Sequence, residues 1–417
     1  MRRTLTGLLI LNLSAISVLA GNGEGDPRAM GMARANTAVA ENTEAYLWNP
    51  ANLGMASLRK NNLTINILSA GFRLNNNVLT IPDYNKYNGK VLSEKDQKDI
   101  LDLFGSDNSL DFNGDFTARA ASIQYLNYAL DFSIEGNGFA RMPKEVVEIM
   151  FNGYELGSSQ LSPNGNGGGN LFFSLGASAG FSLKEKLSVP FKDLSAGLSL
   201  KYYHGFTQST IKDLYAFVEQ SDSIISRGRL NILESHGGNG FAADAGLAVQ
   251  FNDRWSAGLC VQNALSSIAW SSRNKKRLAE YTVRTDDFID LQDDLVHSDT
   301  TIDGQSYSRK LPMILRAGVG FKANRTTLLA MDVEHFLTEE HGDAVPRIAA
   351  GAEFQTSSTV YVRTGVSVGG DNRGFNLAAG GGFIFGKYQL DLATNNLESI
   401  VKLRRFSFAL GCKVVIR

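Results

Sequence analysis

The chain has 417 residues, 41 Lys and Arg against 42 Asp and Glu, a formal net charge of −1 at pH 7, 42 Gly, 8 Pro and 2 Cys. That balance leaves no basic footprint for nucleic acid. Cys260 and Cys412 make neither a disulfide framework nor a zinc-ligand spacing, and beyond the N-terminus no apolar run approaches the roughly 20 residues of a spanning helix.

Residues 1–20 read as an export signal. Arg2 and Arg3 precede a short apolar stretch, and small or modest residues at Val18 and Ala20 predict cleavage after Ala20. The next stretch, "GDPRAMGMARANTAVAENTEAYLWNPANLGM" over 25–55, follows neither a helical nor a strand period.

From residue 63 onward period-two alternation dominates. In 171–183, Leu171, Phe173, Leu175, Ala177, Ala179, Phe181 and Leu183 share one face, and Phe172, Ser174, Gly176, Ser178, Gly180 and Ser182 share the other. About fourteen such segments are expected, near 63–73, 116–125, 127–136, 170–184, 193–207, 240–252, 255–263, 311–322, 326–335, 347–355, 359–367, 375–386, 387–393 and 406–416. Connections after odd segments are mostly long and those after even segments mostly short, which a membrane barrel does and a soluble sandwich has no reason to do.

Charge placement points the same way. Asp131, Lys201, Asp244, Arg316, Asp332, Glu334, Arg347, Glu353, Arg363, Asp391 and Lys413 lie on the small or polar faces of their segments. In lipid a charge on the outer face costs a few kcal/mol, whereas a polar lumen tolerates it. The predicted fold is therefore all-β: a transmembrane antiparallel barrel of about fourteen strands in a Gram-negative outer membrane.

Three long loops carry helix-like pieces: one opened by Ser93-Glu94-Lys95-Asp96 and stopped at Gly105, one over 143–151, and one opened by Thr210-Ile211-Lys212-Asp213. Their apolar faces either pack together as a lid or line a docking groove. In the first strand the alternation slips between Ile67 and Leu68, as at a bulge. The acidic residues Asp286, Asp287, Asp290, Asp293 and Asp294 lack calcium-loop spacing. Gly365-Val366-Ser367-Val368-Gly369 matches a nucleophile-elbow pattern, but the expected helix is missing from the sequence that follows. No enzyme activity, cofactor or metal is expected, and parity puts Cys260 on the lumen face and Cys412 on the lipid face as free thiols.

The export signal, the non-strand segment with its Trp48-Asn49-Pro50-Ala51 run, and the barrel together resemble the FadL-type outer-membrane protein family. The Gly-Met and Trp-Asn-Pro-Ala signature, with "WSAGLCVQNALSSIAW" and "GFNLAAGGGFIFGKYQLDLATNN", resembles the PorV and PorQ branch. The resemblance implies three parts: signal 1–20, hatch 21–60 inside the barrel, and barrel 61–417. The other reading of the hatch segment is a periplasmic tail. The resemblance implies gate residues Gly31, Trp48, Asn49, Pro50 and Ala51 in the hatch, and the charge placement above gives a lumen ladder of Asp131, Asp244, Arg316, Asp332, Glu334, Arg347, Glu353, Arg363 and Asp391. The expected partners are outer-membrane lipid, a hydrophobic small molecule of the long-chain fatty-acid type and, in the alternative of a PorV-like accessory or shuttle, secretion-system proteins.

Overall fold

The structure, a computed structural model, describes residues 24–59, 61–152, 165–187, 190–220, 224–285, 295–337, 345–370, 374–397 and 404–416. The expected signal peptide and the five acidic residues of 286–294 lie outside them.

Seventeen strands are described. They are β1 Leu63–Asn76, β2 Ser109–Tyr125, β3 Tyr128–Pro143, β4 Gly165–Ser182, β5 Asp193–Gln220, β6 Ile224–Gln250, β7 Trp255–Trp270, β8 Ser272–Thr285 and β9 Leu295–Asp303. There follow β10 Tyr307–Arg309, β11 Ile314–Lys322, β12 Thr327–Phe336, β13 Val345–Gln355, β14 Val360–Gly370, β15 Phe375–Phe385, β16 Tyr388–Thr394 and β17 Arg405–Ile416. Strands β1 to β7 pair in sequence, β7 pairs onward with β11, and β11 to β17 continue to a last ladder that returns from Leu63↔Ile416 to Asn75↔Arg405. The result is a closed ring of fourteen antiparallel strands.

Inside-out alternation explains why these segments form a barrel and not a globular sheet. In β3, Ala129, Asp131, Ser133 and Glu135 are buried while Tyr128, Leu130, Phe132 and Ile134 are exposed. The apolar face is the outer one, so lipid and not water must cover it. Aromatic residues cluster near the short turns, among them Tyr125, Tyr128, Trp255 and Tyr388 on the outer face, with Trp255 stacked on Phe321 at 4.5 Å. Phe241 and Phe251, both exposed, are ten positions apart along β6 and its end. At about 3.4 Å per residue and a tilt near 40°, that separation is about 26 Å of height, the size of an apolar membrane band.

Two strands bulge side by side. The β1–β17 register shifts between Asn66 and Leu68, where Ile67 and Leu68 both face outward at 45% and 44% exposure. The β2–β3 register shifts between Arg119 and Ile123, with Ala121 at φ 54°.

The first long loop contains α3 Ile81–Tyr87 and α4 Glu94–Asp102, numbered after two short helices, α1 Pro27–Gly31 and α2 Ala45–Trp48, of the N-terminal segment. The box at α4 forms: Ser93 Oγ accepts from Asp96 N at 3.2 Å, and Ser93 N donates to Asp96 Oδ2 at 3.0 Å. The second loop carries α5 Lys144–Asn152; Val147 packs with Val78, Phe104 and Leu110 as a lid-like core.

The third expected helix is corrected: residues 210–220 continue β5, paired with β6 from Thr210↔Leu233 to Gln220↔Ile224. The apolar spacing of this stretch also suits a strand, and its Ile, Tyr, Phe and Val residues favour one. The partner run 224–233 supplies the ladder that decides the matter. The loop after β7 likewise holds β8, which pairs with the extended β6, and β9, which pairs with β8. A sheet of β5, β6, β8 and β9 thus projects beyond the barrel.

Candidate functional site

Residues 24–59 lie inside the barrel, where almost every residue of 24–40 is buried. Such a segment has no water to satisfy its backbone, so each polar group needs a protein partner. Asp26 caps α1 by accepting from Ala29 N at 3.1 Å, and Pro27 occupies the first turn, where no amide is needed. Asn49 is held extended by the following Pro50, and its Oδ1 accepts from Ala51 N at 3.1 Å. Its Nδ2 donates to the wall carbonyl of Leu247 at 3.0 Å. Asn52 donates to Thr37 O and Ala40 O, both at 3.1 Å.

The wall supplies the remaining partners. Asp332 Oδ2 accepts from Asn36 N at 2.9 Å and from Thr37 N at 2.8 Å. Arg316 donates to Leu47 O at 3.0 Å, Arg119 to Thr43 O at 3.1 Å, and Asp193 accepts from Ala56 N at 2.9 Å. Backbone approaches glycine on the wall closely. A Cβ on Gly197 would fall 2.2 Å from Ala51 N, and one on Gly365 2.5 Å from Met32 C. Only glycine fits such sites.

Two ion networks tie the segment down. In one, Arg28 makes a bidentate pair with Glu353 (2.9 and 3.1 Å) and reaches Glu44 at 3.2 Å. Arg363 joins Glu353 to Asp391 through 2.7 Å contacts, and Lys413 joins Glu44 at 2.7 Å to Asp391 at 3.7 Å. Three cations and three carboxylates alternate there. In the other, Glu334 meets Arg316 at 2.6 Å, Arg347 at 3.1 Å and Arg34 at 4.0 Å. Trp48, fully buried, donates to Asp26 Oδ2 at 2.7 Å and is faced by the guanidinium of Arg316 at 4.6 Å and of Arg34 at 5.8 Å. On the opposite wall Arg119 pairs with Asp131, and Lys201 pairs with Asp244 at 2.6 Å.

Gly31, Trp48, Asn49, Pro50 and Ala51 are all buried in this segment, with Gly31 against Gly380 and Pro50 against Gly197. The nine wall residues from Asp131 to Asp391 are buried too, and eight of them are joined through ion pairs while Asp332 holds backbone amides. Sequence reasoning missed their partners Arg28, Arg34 and Arg119, and with them Glu24 and Glu44, which pair with Arg34 and Arg28, and Asp26, which holds Trp48. The available signal was the presence of isolated charges in a stretch of Ala, Gly and Met, since a buried charge implies a countercharge. Ser367 of the elbow-like pattern lies within β14, buried, with Asn376 Nδ2 at 3.5 Å. Cys260 is buried and Cys412 half-buried, both as free thiols.

Two small cavities border the segment, each of about 20 Å³. That is room for a water-sized group and none for a hydrocarbon chain. One adjoins the β1 bulge and is lined by Asp26, Glu44, Asn66, Ser69, Cys412 and Lys413 among others.

No family model and no curated protein matches the chain in sequence. Solved structures do match in fold. The Ralstonia pickettii toluene transporter TbuX aligns with a TM-score of 0.51 at 12% identity, covering 98% of this chain and 100% of that one. The P. putida toluene transporter TodX gives 0.50 at 10% identity over 94% and 99% of the two chains. A deltaS2 mutant of the TodX monoaromatic hydrocarbon channel gives 0.52 at 10% over 94% and 100%. The chain is therefore a closed fourteen-stranded β-barrel that shares its fold with these hydrocarbon-transporter barrels.

Proposed function

We propose that the protein is a passive outer-membrane channel for hydrophobic small molecules, a member of the FadL-type family in which residues 21–60 act as the gate. The observation that carries this reading is the coincidence of a self-plugged lumen with a bulged wall beside it. In this reading the segment, tied to the wall by two ion networks, blocks straight passage through the barrel. The bulge at Ile67 borders a small cavity against the plug, where a modest shift of Asp26, Glu44 or Lys413 would open a sideways exit into lipid. The likeness to toluene transporters supports an apolar cargo, and the long-chain fatty-acid type is the cargo class we propose. In this reading Trp48, Asn49 and Pro50 hold the gate shut.

Proteoliposomes loaded with a fatty-acid or toluene reporter test the reading. Uptake should exceed that of empty liposomes and should change several-fold when residues 24–59 are deleted. Equal uptake in all three would reject it.

The projecting sheet of β5, β6, β8 and β9 favours a second reading, a non-transporting PorV-type accessory that holds secreted proteins at the surface. That reading expects crosslinks from β8 and β9 to a large surface protein, with no uptake.

A further inference from the structure

The short-turn end of the barrel carries a charge that the channel reading does not use. Three of its turns meet at one place. Lys192, just before β5, pairs with Asp253 in the turn before β7, and Lys322 N, at the end of β11, donates to Arg254 O at 2.8 Å. Lys192, Arg254 and Arg325 are exposed. Two aromatic pairs sit beside them: Phe191 meets Phe251 at 5.5 Å, and Trp255 meets Phe321 at 4.5 Å. Phe251 and Trp255 are exposed on the outer wall.

The charge at this place is one-sided when every carboxylate is counted. Residues 183–193, 251–254 and 322–326 hold six cations, Lys184, Lys186, Lys192, Arg254, Lys322 and Arg325, against three carboxylates, Glu185, Asp193 and Asp253. Asp193 is buried and accepts from Ala56 N at 2.9 Å. Asp253 serves Lys192 and also feels Lys322. Arg254 and Arg325 make no ion pair among the described residues. The link 56–62 and the remaining short turns add Arg59, Lys60 and Lys387 and no carboxylate. Deeper in, Glu353 already holds Arg28 and Arg363, and Asp244 holds Lys201. The whole chain has a formal net charge of −1, so the excess is local to this rim.

Aromatic side chains at the edge of an apolar band lie at headgroup depth, and a Lys or Arg beside them reaches the phosphate layer. We propose that this patch binds the phosphate of an anionic glycerophospholipid, held by Lys192, Arg254 and Arg325, with the acyl chains along Phe251 and Trp255. Arginine matches phosphate oxygens as a planar fork, and an anionic headgroup supplies the charge that the rim lacks. A zwitterionic lipid brings an ammonium to a patch already in cation excess. Water or free phosphate uses none of the aromatic wall. The proposal needs a barrel seated in lipid and does not depend on what it transports.

Proteoliposomes of the full chain with Trp255 as the only tryptophan test it. Brominated phosphatidylglycerol, present as a minority of an otherwise phosphatidylcholine membrane, should quench Trp255 several-fold more than its mole fraction predicts. Brominated phosphatidylcholine in the same proportion should show no such preference. Millimolar inorganic phosphate should leave the preference in place, and high salt should weaken it. Replacing Lys192, Arg254 and Arg325 together by Gln should reduce quenching to the mole-fraction level. The proposal is overturned by equal quenching from the two lipids, by loss of the preference to inorganic phosphate, or by a preference that survives the triple variant. If that variant does not insert, the parent protein decides alone, and a preference indifferent to salt overturns the proposal.

Discussion

At the residue scale, burial turns single side chains into critical ones. Glu353 holds Arg28 and Arg363 together, both buried. Glu353→Ala would leave three buried cations, Arg28, Arg363 and Lys413, facing two carboxylates, Glu44 and Asp391, and removing one partner of a buried pair costs about 3–5 kcal/mol. Urea titration followed by tryptophan emission should show a loss of that size, whereas Lys95→Ala, at an exposed pair, should change stability by less than about 1 kcal/mol. The thiols give a second expectation. In folded protein a lipid-soluble maleimide should label outward-facing Cys412 and leave buried Cys260 unmodified until denaturation; equal labelling would reverse the assigned faces. Parity along each strand made the inward side of the charged wall residues readable. Their partners were not readable, because Arg28 meets Glu353 across 325 positions of chain, and nothing local to either residue names the other.

At the element scale, the fourteen ring strands were legible because each has to match lipid on one face and polar contacts on the other. That requirement writes itself as alternation of the kind seen in Tyr128 to Glu135. The same rule lapses above the membrane. In the sheet of β5, β6, β8 and β9 the apolar spacing suits either period, and residues 210–218 read as a helix where the partner ladder makes them a strand. The bulge at Ile67 was visible as a slipped alternation; its companion in β2, at Ala121, was not, since Ala120, Ala121 and Ser122 carry no polarity contrast. Ile67 stands opposite Ala121 in the unshifted β1–β2 ladder, so deleting Ile67 and Ala121 together should restore the β1–β17 and β2–β3 registers and straighten the wall. We expect such a variant to insert and remain heat-resistant while hydrophobic uptake falls at least several-fold; unchanged uptake would dissociate the bulge from transport.

At the scale of the whole molecule, the barrel and its filling are separable. The ring closes through backbone ladders that begin at Leu63 and involve no residue of 24–59. Gly197→Val places side-chain atoms where Pro50 and Ala51 now run, so the segment should be displaced without opening the ring. Planar-bilayer recording of that variant should show frequent conducting events, against a closed wild-type lumen. Single-tryptophan proteins give the most direct measurement of the account as a whole. Trp48 is fully buried inside the barrel, and Trp255 is 45% exposed on the outer face. With Trp270 and the other tryptophan replaced by Phe, brominated lipid should quench Trp255 strongly, and neither aqueous acrylamide nor brominated lipid should quench Trp48. Trp48 open to acrylamide, or Trp255 untouched by brominated lipid, would contradict a lipid-embedded barrel filled by its own N-terminal segment.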